Sequence, residues 1–161
     1  STLLGVRDEF RLRFVANRYG PYSDQLRHLL DRLDGSYLHC DKRLADAAPT
    51  DLLRFDYAHR DQLASFLAAP EHAACLEVIR HTDELIDGFQ SPLGMEALGT
   101  VDWLLTRQSL APSVPDVRAA LEAWPTPGAG ARKQRIFSDK LIRAALDRLA
   151  NLRGSMPASA A

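Results

Sequence analysis

A proline–glycine break followed by a strict leucine stripe limits what the beginning of this 161-residue chain can form. Gly20-Pro21 interrupts whatever precedes it, because proline fixes φ and pushes its neighbour away from helical geometry. Ser23 then stands where an N-cap belongs, with Asp24 in the first turn to complement the helix dipole. Leu26, Leu29, Leu30 and Leu33 recur at i, i+3, i+4 and i+7, one face of an amphipathic helix. Gly35 supplies a C-terminal stop, and Arg27 and Asp31 are spaced to pair across one turn. A second stretch, Leu85–Leu105, is written the same way: Ser91 followed by Pro92 makes a cap-plus-first-turn start to another apolar stripe.

Elsewhere the periodicity predicts a mainly α fold with a small β-sheet (α+β). Phe10, Leu12 and Phe14 alternate with Arg11, Arg13 and Val15, a period-two strand pattern, and Leu53, Phe55 and Tyr57 alternate likewise. Tyr37–Cys40 adds a third short strand. Helices are expected over 61–69, 71–87, 92–107, 115–124 and 139–152, which with the Ser23-capped helix makes about six in a winged-helix-like outline. In the helix over 71–87, Cys75, Val78, Ile79, Thr82, Leu85 and Ile86 form the expected buried stripe. Phe137 before Ser138, with Ile142 beyond, fits a hydrophobic staple around an N-cap. The Pro/Gly-rich stretch 124–130 reads as a loop. These signals fit one domain over 1–153, expected to be the C-terminal part of a longer protein, with a disordered tail over 154–161.

Charge is balanced in total, at −1, but not along the chain. From Gln62 to Thr106 seven acids face one base; from Arg107 to the end nine bases face four acids. Either the two blocks attract each other or are simply solvated, or the acidic block meets a basic partner. No apolar run is long enough to span a membrane, so a cytoplasmic setting without membrane contact is expected. Cys40 and Cys75 form no CxxC pair and are read as inert core thiols.

No arrangement of residues points to catalysis. The five histidines, His28, His39, His59, His72 and His81, show neither HExxH nor zinc-ligand spacing with the cysteines. There is no nucleophile elbow and no phosphate loop. Asp83 and Glu84 are sequence neighbours on different sides of a helix, a poor acid/base pair. The expectation is therefore no enzyme, no catalytic residue, no metal and no cofactor. Arg132, Lys133, Arg135, Lys140 and Arg143 form a basic cluster, and the alternative function is a winged-helix-like DNA-binding domain using that last helix. A pI near 6.5 argues against it, and direct nucleic-acid binding is not expected. A small adaptor domain is the remaining class.

The segment RFVANRYGPYSDQLRHLLDRLDGSY, with LIDGFQSPLGMEALGTVDWLL and the closing RKQRIF, resembles the C-terminal toxin-binding domain of DarG-type antitoxins. The aromatic-Gly-Pro helix start is more distantly similar to SocA-like (Panacea) antitoxin domains. The motifs YGPY, GFxSPxGME and TVxW fall in the family's order, while Tyr37–Asp41 replaces a usual Gly-rich tract.

The resemblance implies a two-gene system whose partner is a DarT-like ADP-ribosyltransferase that uses NAD to modify single-stranded DNA. Family antitoxins join a macrodomain that removes the ADP-ribose to a domain that captures the toxin. No macrodomain loops are evident in this sequence. Capture is then expected through an acidic face that occupies the toxin's DNA groove. Glu84, Asp87 and Glu96 would stand in for phosphates, and Tyr22, Phe89 and Trp103 for bases. Tyr19, Gly20, Pro21, Ser91, Pro92 and Gly94 are read as the motif that shapes this surface. Tyr19, Pro21, Trp103 and Met95 equally fit a turn or a core.

Overall fold

Two short hairpins and seven helices account for the regular structure among the described residues, 12–42, 46–47 and 51–155 of the computed structural model. In chain order the first elements are β1 (Val15–Asn17), β2 (Gly20–Tyr22), α1 (Asp24–Leu33), β3 (Leu38–Cys40) and β4 (Leu53–Phe55). Helices α2 (Arg60–Leu67), α3 (Ala73–Ile86), α4 (Pro92–Arg107), α5 (Val114–Glu122), α6 (Ala129–Ile136) and α7 (Asp139–Ser155) follow. Short 3₁₀ turns at Tyr57–His59 and Pro70–His72 lead into α2 and α3. The expected α+β class is what the chain adopts. Two compact units result, one of residues 1–22 and 84–161, the other of 23–83, and the boundary falls within α3.

The first unit holds the hydrophobic core. Helix α4 starts where Ser91 Oγ accepts the Gly94 N–H at 3.0 Å, and it buries Ala97, Leu98, Val101, Leu104 and Leu105. Helix α7 answers with Ile142, Ala145, Leu146 and Leu149, again at i, i+3, i+4 and i+7. Val117 and Leu121 of α5, with Trp124 and Phe137, complete the cluster. The staple prediction holds locally: Ser138 Oγ accepts the Leu141 N–H at 3.1 Å, and Phe137 and Ile142 are both buried. Arg118 locks the corner between α6 and α7. Its guanidinium donates to the Gln134 and Phe137 carbonyls at 2.7 and 2.6 Å and to Asp139 Oδ1 at 2.6 Å, satisfying carbonyls a helix end leaves open.

Several expectations need correction. The strand expected over 10–15 is displaced to Val15–Asn17, and Phe10 and Arg11 lie outside the described residues. The two-residue turn Arg18-Tyr19 sets a register with Asn17 opposite Gly20 and Val15 opposite Tyr22, so pairing begins at Val15. Strand β2 carries no strand signal in the sequence because Pro21 reads as a breaker, yet an edge strand tolerates its missing N–H. Helix α6 begins inside the stretch 124–130 expected as a loop, because its Ala129-Gly130 start has loop composition. Helix α7 continues to Ser155, and the remainder of the expected tail lies outside the described residues.

In the second unit, Ser23 Oγ accepts the Leu26 N–H at 3.3 Å and starts α1 as expected, and Gly35 adopts φ +79° beyond its end. Arg27 and Asp31 approach to 3.8 Å. Hairpin β3–β4 pairs Leu38 with Phe55, His39 with Arg54 and Cys40 with Leu53. The buried stripe expected on the following long helix forms only in part: Val78, Thr82, Leu85 and Ile86 are half-buried. Cys75 and Ile79 are exposed, so Cys75 is not a core thiol.

Candidate functional site

The two best-specified motifs of the sequence meet in the first unit. Gly20, at φ +125°, lies where a Cβ would stand 3.5 Å from Thr100 Oγ1, and Pro21 Cδ lies 3.7 Å from the position of a Cβ on Gly99. Only a residue without a side chain adopts this φ easily, so Gly20 lets the β1–β2 hairpin lie against α4. Gly94 has a related role, since a Cβ there would fall 2.7 Å from the Phe89 carbonyl oxygen. The hairpin is also held from the other side. Trp124 Nε1 donates to the Asn17 carbonyl at 3.0 Å, and Thr126 Oγ1 donates to that of Ala16 at 3.3 Å.

Beneath the hairpin lies a buried charge cluster. Glu96 accepts from both ends of the Arg132 guanidinium, at 2.5 and 3.0 Å, and from Lys133 Nζ at 2.8 Å. Lys133 is wholly buried and donates also to Thr100 Oγ1 at 3.2 Å. Two cations thus share one carboxylate. Aromatic faces stabilise the second positive charge: Lys133 Nζ lies 5.0 Å from the Trp124 ring centre and 5.4 Å from that of Phe137. The Arg132 guanidinium lies 5.0 Å over Tyr19, linking the cluster to the hairpin turn. Burial pushes the Lys133 ammonium below its ordinary value, opposed by the Glu96 hydrogen bond, while that carboxylate raises Arg132.

These contacts redistribute the residues singled out from the sequence. Glu96 is not part of an exposed acidic face; it is buried and ion-paired. Phe89 is also buried, in the core, with the Arg148 guanidinium 5.8 Å over its ring. Trp103 is half-buried against the core, with Arg107 5.2 Å over its ring, and Tyr22 is half-buried at the end of β2. Glu84 and Asp87 are exposed, as is Tyr19 at 49%. Ser91, Pro92 and Gly94 make the start of α4, and Tyr19, Gly20 and Pro21 make the hairpin. The basic cluster is divided: Arg132 and Lys133 turn inward, whereas Arg135, Lys140 and Arg143 are exposed.

The clustering of Lys133 with Glu96 had one available signal. Lys133 lies four residues after Ala129 and four before Phe137, both buried, so it occupies the apolar face of α6. Beside the site, Arg148 Nη1 donates to the carbonyl of Glu84 and to that of Leu85 at 3.5 Å, placing a cation at the C-terminal end of α3. Among the described residues, no group of three or more His, Cys, Asp or Glu side chains could hold a metal ion. No described helix is long and apolar enough to cross a membrane.

No protein-family model matches the chain. It is 32% identical over 146 residues to a protein of Mycobacterium tuberculosis (strain ATCC 25618 / H37Rv) named "DNA ADP-ribosyl glycohydrolase", covering 88% of this chain and 39% of that protein. A Thermus aquaticus protein of the same name is 28% identical over 116 residues, covering 72% of this chain and 31% of its own. The chain is thus homologous to a segment of these bacterial proteins and spans less than two fifths of their length. Their enzyme name overturns the expectation of a non-enzyme, which rested on finding no catalytic constellation in the sequence.

Proposed function

We propose that this chain captures a DarT-like DNA ADP-ribosyltransferase toxin by direct protein–protein binding, as the toxin-neutralising part of a DNA ADP-ribosyl glycohydrolase-type antitoxin. The observation that carries this reading is the homology across 88% of the chain to proteins named for acting on ADP-ribosylated DNA. An enzyme that modifies single-stranded DNA needs a basic groove with stacking surfaces. Exposed Glu84 and Asp87, at the end of α3, offer that groove the complementary charge. Glu96 and Phe89 drop out of the contact set because the core uses them. The DNA-binding alternative is weakened by the same cluster, which buries Lys133 and pairs Arg132 with Glu96.

Calorimetric titration of the purified chain into a DarT-like toxin tests the reading. Tight binding is expected, weakened when single-stranded DNA competes. The double substitution Glu84→Lys, Asp87→Lys should lower affinity by about tenfold, with a steeper loss at low salt. Unchanged affinity in that variant would remove these carboxylates from the interface.

The name of the relatives favours a second reading, in which the protein removes ADP-ribose from DNA. Incubating the chain with ADP-ribosylated single-stranded DNA should then regenerate unmodified DNA at a rate proportional to the chain added. Modified DNA that persists at the rate of the buffer control would sink the hydrolase reading for this segment.

A further inference from the structure

The second unit has an unusual distribution of apolar side chains. Every buried hydrophobic residue among those described lies between Phe89 and Leu149; among the described residues of the 23–83 unit only Ser23 is buried. That unit instead exposes Leu52, Leu53, Phe55, Tyr57, Phe66 and Ile79, with Tyr57 at 76% and Leu52 at 63%. Single exposed hydrophobics are ordinary, but a group of this density in one unit marks an interaction surface.

The hairpin register gives part of this group a common face. Leu38 and Cys40 on β3 lie opposite Phe55 and Leu53 on β4, so these four side chains point the same way. Tyr57 follows, its ring edge-on to Phe55 at 5.7 Å. The reverse face is polar and paired: Arg54 meets Asp41 at 3.2 Å, and His39 meets Asp56 at 3.2 Å. A two-stranded hairpin has little stability alone unless its apolar face is covered.

We infer that the Leu53–Phe55–Tyr57 face of the β3–β4 hairpin is the surface on which the toxin docks, through an apolar cleft with a basic rim. This rests on the toxin-binding reading above. Charge selects the occupant: residues 23–83 carry eleven acids and seven bases. Asp61 is exposed in the first turn of α2, just beyond the Tyr57–His59 turn. A second copy of the chain would bring the same excess of acids to the contact, whereas a basic rim neutralises it. Leu38 and Cys40 on this face are already half-buried, and docking covers its exposed remainder, so binding and local stability rise together.

The full chain is titrated against a toxin carrying an inactivating active-site substitution, alongside the variants Tyr57→Ala and Leu53→Ser. Both side chains are exposed, so neither substitution removes a core contact. Tyr57→Ala is expected to weaken binding by about thirtyfold, as for a central aromatic anchor. Amides of residues 52–57 should exchange more slowly with solvent deuterium once the toxin is added. Absence of binding by the parent chain would overturn both this inference and the toxin-binding reading. Parental binding with undiminished affinity in both variants, or unchanged exchange over 52–57, would overturn this inference alone. Self-association of the parent chain that Tyr57→Ala abolishes would make a second copy the occupant and overturn it as well.

Discussion

Replacing Glu96 with alanine is expected to destabilise the chain by about 3–5 kcal/mol, the cost typical of breaking a buried ion pair from one side. The carboxylate is the acceptor for both Arg132 and Lys133. Arg132 is partly exposed and can return to water; Lys133 cannot, because its side chain is wholly buried. Its ammonium would keep only Thr100 Oγ1 and the faces of Trp124 and Phe137. Urea denaturation of Glu96→Ala beside the exposed control Glu84→Ala measures the effect, with the control expected within about 0.5 kcal/mol of the parent. Replacing Lys133 by methionine as well should recover part of the loss, since the stranded charge is then gone. A Glu96→Ala variant as stable as the control would show that the cluster contributes nothing net. The consequence reaches the surface, because Arg132 also lies over Tyr19 in the hairpin turn.

Gly130→Ala and Gly99→Ala should move stability in opposite directions. A Cβ on Gly130 would fall 2.2 Å from the Leu121 carbonyl oxygen and 3.3 Å from Trp124 Cβ, so α6 would have to retreat from α5. Backbone cannot yield as a flexible side chain can, and a loss of about 3 kcal/mol is expected. Retreat of α6 would also pull Lys133 and Arg132 away from Glu96, so this loss and that of Glu96→Ala should not add fully. On Gly99 the new methyl would meet only Pro21 Cδ at an ordinary 3.7 Å. Helix α4 then gains an alanine in its interior, worth about 0.5–1 kcal/mol in stability. Thermal melts of the two variants decide the matter, and equal melting temperatures would mean that the close approach of α5 and α6 does not constrain the fold.

Both results bear on the proposed function through the same surface. The first unit holds the YGPY hairpin against α4 from below, by the charge cluster, and from the side, by Trp124 and Thr126. The exposed acids at the end of α3 belong to the same unit, where Arg148 caps the helix beside them. The proposed toxin-binding surface would gain affinity from being held in shape before the partner arrives. The apolar hairpin of the second unit carries the opposite expectation, in which the proposed contact with the toxin covers side chains the chain itself leaves exposed.

The sequence by itself determined the elements whose causes are local. Ser23, Ser91 and Ser138 each accept an N–H three residues on, and α4 runs over Pro92–Arg107 as its cap and stripe require. Such signals act between neighbours within one turn, so they can be read without knowing where the chain goes next. Tertiary structure alone decided which charges face water. Glu96 reads as one more acid in an acidic block until α6, 36 and 37 residues later in sequence, brings Arg132 and Lys133 onto it. Trp124 reads as the start of a loop until it reaches the Asn17 carbonyl across 107 residues. The apolar stripe of α3 shows the limit from the other side: its periodicity is real, yet Cys75 and Ile79 stay exposed because no described element covers them. Periodicity reports which face of a helix is apolar; burial of that face depends on a second surface arriving, and spacing along one helix cannot encode that arrival.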